Sequence, residues 1–101
     1  MKVLIIDKNS ERHEEWRALF NNFSDFSVYA VIEIDKEKLI SSNYDIIICH
    51  LNNRPESDIL ERKKNIGKIR IFFSGGLVKP YSVFDGDHYI KEEILSSDFI
   101  E

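Results

Sequence analysis

The chain has one cysteine, Cys49, so no internal disulfide can form. Glycine and proline are scarce, four and two in 101 residues, which excludes collagenous repeats and Gly/Pro-rich linkers. Cations are the minority: 14 Lys and Arg against 18 Asp and Glu give a net charge of −4. A non-specific nucleic-acid binder needs a basic footprint, and an anionic membrane attracts polybasic segments; this composition supplies neither. No apolar run approaches the roughly 18 residues of a membrane span. The opening run of residues 1–6 meets Asp7 too soon for a signal-peptide core of about 7–15 apolar residues. What is present is a core: 43% of residues are hydrophobic and 12% aromatic. That is enough for one domain to fold without staples. The expectation is a soluble, cytoplasmic protein with a single domain over residues 1–101.

The densest apolar stretch is residues 44–50, Tyr-Asp-Ile-Ile-Ile-Cys-His. It is too continuous for a strand with one wet face and predicts a central parallel strand covered on both sides. Residues 3–6 form a similar run and predict a first strand, after which Asn9 or Ser10 caps a helix. In that helix Trp16, Leu19, Phe20 and Phe23 make an apolar stripe, with Glu11, Arg12, Glu14, Glu15 and Arg17 mostly on the other faces. Residues 26–34 read as an edge strand. Asp35 is placed to cap a short helix over residues 36–42, with Leu39 and Ile40 facing inward. After a polar loop at residues 51–54, Pro55 suits the first turn of a shallowly packed helix to about Asn65, with Gly67 beyond its end. Residues 69–73 predict a fourth strand. Residues 77–82 have no helical period, and Pro80 argues against a helix there. Asp85-Gly86-Asp87 marks a turn, residues 88–90 a fifth strand and residues 91–100 a last helix. This alternation predicts one α/β sandwich.

Four anchors carry a resemblance: Val3-Leu4-Ile5-Ile6-Asp7, the run Tyr44 to His50, Ile71-Phe72-Phe73-Ser74, and His88-Tyr89-Ile90-Lys91. In order and spacing they resemble the strand ends of a response-regulator receiver domain. The resemblance implies a doubly wound five-stranded parallel sheet, receiver/flavodoxin-like order 2-1-3-4-5, with the fourth helix shortened or missing. A receiver phosphorylates an aspartate after strand three beside Mg²⁺ held by an acid pair, and a Ser or Thr and a Lys contact the phosphoryl oxygens. Asp7, Ser74 and Lys91 match three of these positions. Lys8 stands where the second acid is expected, and His50 where the phospho-accepting aspartate should be. Histidine has no carboxylate to form an acyl phosphate, and Lys8 sets a positive charge beside the would-be metal. The resemblance therefore points to a degenerate pseudo-receiver that is not an enzyme and takes no cofactor or metal.

Several readings stand beside one another at that strand end. His50 is a rim histidine bonded to a neighbour such as Asp7, or part of a remnant phosphoryl pocket of Asp7, Lys8, His50, Ser74, Gly75 and Lys91 that holds an anion without metal. Gly75-Gly76 would add backbone N–H groups, and a protonated His50 would add charge. In a third reading Lys8 or Lys91 pairs with Asp7 and locks the site. Metal ligation by Asp7, Cys49, His50 and His88 fails because adjacent residues on a strand point to opposite faces. Cys49 reads as a small core residue and His13 as packing at the core edge. No Ser-His-Asp order, P-loop or dinucleotide fingerprint is present.

The apolar residues of the proline-containing stretch, Leu77, Val78, Tyr81, Val83 and Phe84, with His88, Tyr89 and Phe99, form either a loop folded over the fifth strand or a partner-binding surface. The leading expectation is a phosphorylation-independent protein-binding regulatory or adaptor module in signalling. Its partner would be another protein chain or a second copy in a homodimer, with no direct nucleic-acid or membrane contact. Its output would pass to another chain, since no effector domain is attached. The alternatives are a metal-independent anion or nucleotide sensor and an enzyme using His50 as general base or phospho-carrier.

Overall fold

A computed structural model describes residues 1–21, 25–73, 81–84 and 87–90. The elements in chain order are β1 (Lys2–Ile6), α1 (Ser10–Phe20), β2 (Ser27–Val31), α2 (Lys36–Ile40), β3 (Ile46–His50), α3 (Arg54–Arg62), β4 (Ile69–Phe73), β5 (Tyr81–Phe84) and β6 (Asp87–Ile90). The first four strands form an all-parallel sheet in the order β2-β1-β3-β4 with helices between them. This is an α/β arrangement, flavodoxin-like in its general plan. No helix among the described residues is long and apolar enough to cross a membrane.

The isoleucine run owes its continuity to two cores. Ile46 and Ile48 pack with Val3, Ile5, Trp16, Phe20 and Phe73 on the α1 face. Ile47 and Cys49 pack with Leu4, Ile6, Leu39, Ile59, Leu60, Ile66 and Phe72 under α2 and α3. Successive strand residues alternate faces, so a strand covered on both sides needs apolar residues at every position. All five residues of β3 are buried.

Asn9 is the cap of α1: its side chain accepts from the Glu11 N–H, and Trp16 and Phe20 of the expected stripe are buried. Phe23 lies outside the described residues. α2 is shorter than expected. Leu39 is fully buried, but Ile40 is 38% exposed, a correction to its inward placement. One residue is about 100° of helix, so with Leu39 facing the core Ile40 turns toward solvent; the hydroxyls of Ser41 and Ser42 donate to the carbonyls of Glu37 and Leu39 at the helix end. Asp35 occupies the cap position without a side-chain cap bond. α3 is packed more deeply than expected, burying Glu56, Ser57, Ile59 and Leu60. Gly67 follows at φ 78°, and a Cβ there would lie 2.9 Å from Ile47 Cδ1, so both conformation and space demand glycine.

Asp45 fastens the N-terminal ends of three strands. Its carboxylate accepts from the Lys2 N–H at 2.8 Å and lies 3.4 Å from Lys68 Nζ, and its carbonyl accepts from the Ile69 N–H. The Lys2 N–H, aided by Lys68, holds this carboxyl below the usual range against the opposing effect of burial.

Beyond β4 the sheet departs from a five-stranded parallel plan. β6 pairs parallel with β4, and β5 pairs antiparallel with β6, giving the order β2-β1-β3-β4-β6-β5. Tyr81–Phe84 is thus a strand, in the stretch where a doubly wound domain carries its fourth helix. The local chemistry accounts for it. Tyr, Val and Phe favour strands, and Asp85-Gly86, the two residues between Phe84 and Asp87, form the dipeptide most favoured in two-residue hairpin links. The helix expected over residues 91–100 lies outside the described residues.

Candidate functional site

β1 runs to β2 on one side and β3 lies on its other side, so the strand order reverses between β1 and β3. Open α/β sheets bind ligands beyond the carboxyl ends of their strands at such a point. There the structure brings together Asp7, Lys8 and His50, with Arg12, His13, Asn53 and Glu56 around them. Ser74, Gly75 and Lys91 of the expected pocket lie outside the described residues.

Asp7 is fully buried, and its backbone N–H continues the sheet by donating to Val31 O. Both carboxylate oxygens are engaged. Arg12 grips them as a fork, Nε to Oδ2 at 2.7 Å and Nη2 to Oδ1 at 3.0 Å, and the Asn9 N–H donates to Oδ1 at 3.0 Å. Three donors fill most of a carboxylate's roughly four acceptor sites, and a guanidinium beside it repels a divalent cation. Lys91 lies outside the described residues; for Lys8 the expected lock is corrected, since among the described residues the cation on Asp7 is Arg12. The helix geometry explains why. Side chains lean toward a helix's N-terminus, so Arg12, in the first turn of α1, reaches back over the end of β1.

Among the described residues His50 has the expected bond to a neighbour, and that neighbour is Asn52; the Asp7 carbonyl oxygen lies 2.8 Å from His13 Nε2. His50 is 3% exposed and stands edge-on to Phe73, ring centroids 4.7 Å apart. Its Nδ1 accepts from the Asn52 N–H at 3.0 Å. Cys49 faces the opposite core; burial, with the nearby charges of Glu56, Asp7 and Glu61, pushes its thiol well above the ordinary range. It is an inert core thiol.

Lys8 is exposed, but its backbone is not free: its N–H donates to Asn53 Oδ1 at 3.2 Å across the reversal point. Asn53, fully buried, spends its amide on Ile32 O and on Glu56 Oε2, and Glu56 also accepts from the Ile34 N–H. The loops after β1, β2 and β3 are thus sewn together where a ligand would enter. Sequence reasoning had placed Asn53 in a polar loop and Glu56 in a shallow helix, with no role for either. Arg12 did carry a signal, because a cation in the first turn opposes the helix dipole and calls for a nearby acid.

Of the expected partner surface, Tyr81, Val83 and Phe84 lie on β5, and His88 and Tyr89 on β6. Val83 is the register partner of His88. Leu77, Val78 and Phe99 fall outside the described residues. Among the described residues, no group of three His, Cys, Asp or Glu is arranged to hold a metal. Compared with family models, curated proteins and solved structures, the chain matches none.

Proposed function

We propose that the chain works as a phosphorylation-independent pseudo-receiver, a protein-binding regulatory or adaptor module in signalling. This reading counts β6 as the fifth strand of a receiver-like 2-1-3-4-5 order and β5 as replacing the fourth helix. The observation that carries it is the filled strand-end corner. Asp7 is engaged at both oxygens by Arg12 and Asn9, and His50, its Nδ1 taken by the Asn52 N–H, stands where a phospho-accepting carboxylate would be. Such a corner supports neither metal binding by Asp7 nor acyl-phosphate chemistry, so the output falls to surfaces, foremost the edge built by β5 and β6.

The test combines two arms. Treating the protein with acetyl phosphate and Mg²⁺ and weighing it intact should show no added phosphoryl group; a stable gain of one would overturn the reading. Tyr81→Asp and Phe84→Asp should abolish association with the protein that co-purifies with the wild type, or with a second copy. Unchanged association would exclude the β5–β6 edge. A second reading, an anion sensor, has the exposed Lys8 in its favour, since Arg12 leaves that charge to solvent. Replacing Lys8 and Lys91 by alanine should leave partner binding intact under the first reading and abolish its anion dependence under the second.

A further inference from the structure

The opposite edge of the sheet is β2, and among the described residues no strand pairs with its outer side. The bonds from Ser27 N to Met1 O and from Asp7 N to Val31 O fix the parity of its backbone. Ser27, Tyr29 and Val31 turn their peptide groups toward β1, so Val28 and Ala30 turn theirs outward. Among the described residues nothing pairs with these outward groups. Natural sheets guard such edges with lysine, proline or a bulge. β2 has none of the three, and it pairs with β1 in unbroken register over all five residues.

Its side chains invite company. Tyr29 is 47% exposed and Ile32 52%. On its sheet face Tyr29 makes an edge-to-face contact with Tyr44, ring centroids 5.8 Å apart. The flanks are acidic. Asp25, Glu33 and Asp35 are all exposed, and from residue 18 to residue 35 the chain has no Lys, Arg or His. Lys38 offsets Asp35 weakly across 4.0 Å between two exposed side chains.

This charge pattern selects the occupant. A second copy pairing antiparallel about Tyr29, the register that pairs Val28 directly with Ala30, would set Asp25 opposite Glu33. Like charges directly opposite destabilise a strand pair. We propose that the β2 edge docks an extended segment of a partner protein in which alternating apolar residues are flanked by Lys or Arg. Main-chain bonds to Val28 and Ala30 supply affinity, and Asp25 and Glu33 supply the choice of partner. The inference goes beyond the pseudo-receiver reading and does not depend on it, because β2 and β5 are the two far edges of the sheet.

The test uses a blocked synthetic peptide, Lys-Thr-Val-Thr-Val-Thr-Lys, and its Glu-ended twin, added to the full chain. NMR should show amide exchange at Val28 and Ala30 slowed at least tenfold by the Lys-ended peptide and unaffected by the Glu-ended one. Ala30→Pro removes an outward donor and leaves the inward ladder intact; it should weaken binding at least tenfold. Should that variant not fold, Asp25→Lys with Glu33→Lys, both at exposed positions, must reverse the peptide preference. Absence of slowing, equal effects of the two peptides, or protection of the same amides by self-association without peptide would each overturn the proposal.

Discussion

Replacing Arg12 by alanine tests the corner most directly. The substitution leaves the Asp7 carboxylate with one donor, the Asn9 N–H, inside a fully buried site. Removing one partner of a buried ion pair costs roughly 3–5 kcal/mol, because the remaining charge is stranded. The Arg12 side chain keeps 20% exposure while that of Asp7 has 1%, so water can partly follow the departing guanidinium. The expected loss is therefore at the lower end, about 3 kcal/mol. In urea, with a slope of about 1.5 kcal/mol/M for a domain of this size, the unfolding midpoint should fall by about 2 M. The partner variant, Asp7→Asn, removes the charge that Arg12 answers and should cost about 1–2 kcal/mol. In the double variant no buried charge is left stranded, so its loss should match Asp7→Asn alone, with a coupling of about 3 kcal/mol. Stabilities of Arg12→Ala and wild type within 0.5 kcal/mol, or single losses that simply add, would refute the claim that Arg12 neutralises Asp7.

Three further outcomes follow from the fold. Gly67→Ala combines a left-handed backbone with a Cβ 2.9 Å from Ile47 Cδ1, so it should cost about 1–3 kcal/mol in thermal unfolding. Cys49 is fully buried with its thiol pushed up, so native protein should resist iodoacetamide, and its alkylation in rising urea should track the unfolding transition. Asp45 has its carboxyl held low by the Lys2 N–H and Lys68, so it stabilises the fold above the ordinary carboxylate range and ceases to as pH falls through its folded value. Asp45→Asn should therefore destabilise at pH 7, with the deficit shrinking below about pH 4 in pH-resolved urea titrations.

The parts of the fold legible in the sequence are those written in periodicity. Ile46, Ile47 and Ile48 announce a strand buried on both faces, and Trp16 and Phe20 a helix with one apolar side. Ile40 is not inward because it follows Leu39 by one residue, about 100° round the helix, and only one of the two can face the core. β5 is not legible because Pro80 and the missing helical period argue only against a helix, and Asp85-Gly86-Asp87 marks a turn without saying that a strand precedes it. At the corner, Asp7, Lys8 and His50 were found from their places at strand ends. Arg12 signals itself only as a first-turn cation that calls for a nearby acid. The roles of Asn53 and Glu56 depend on which loops the sheet order sets side by side, and no local pattern records that.

The fork of Arg12 on Asp7 differs from a bound ion in one further respect. A metal's occupancy rises and falls with the concentration around the protein. A guanidinium tethered five residues along the same chain has a fixed effective concentration at the carboxylate. Dilution cannot remove it, and a chelator cannot compete for it. In the folded chain Asp7 has its counter-charge from the moment α1 docks, and no change in the medium's divalent ions gives that carboxylate a second state.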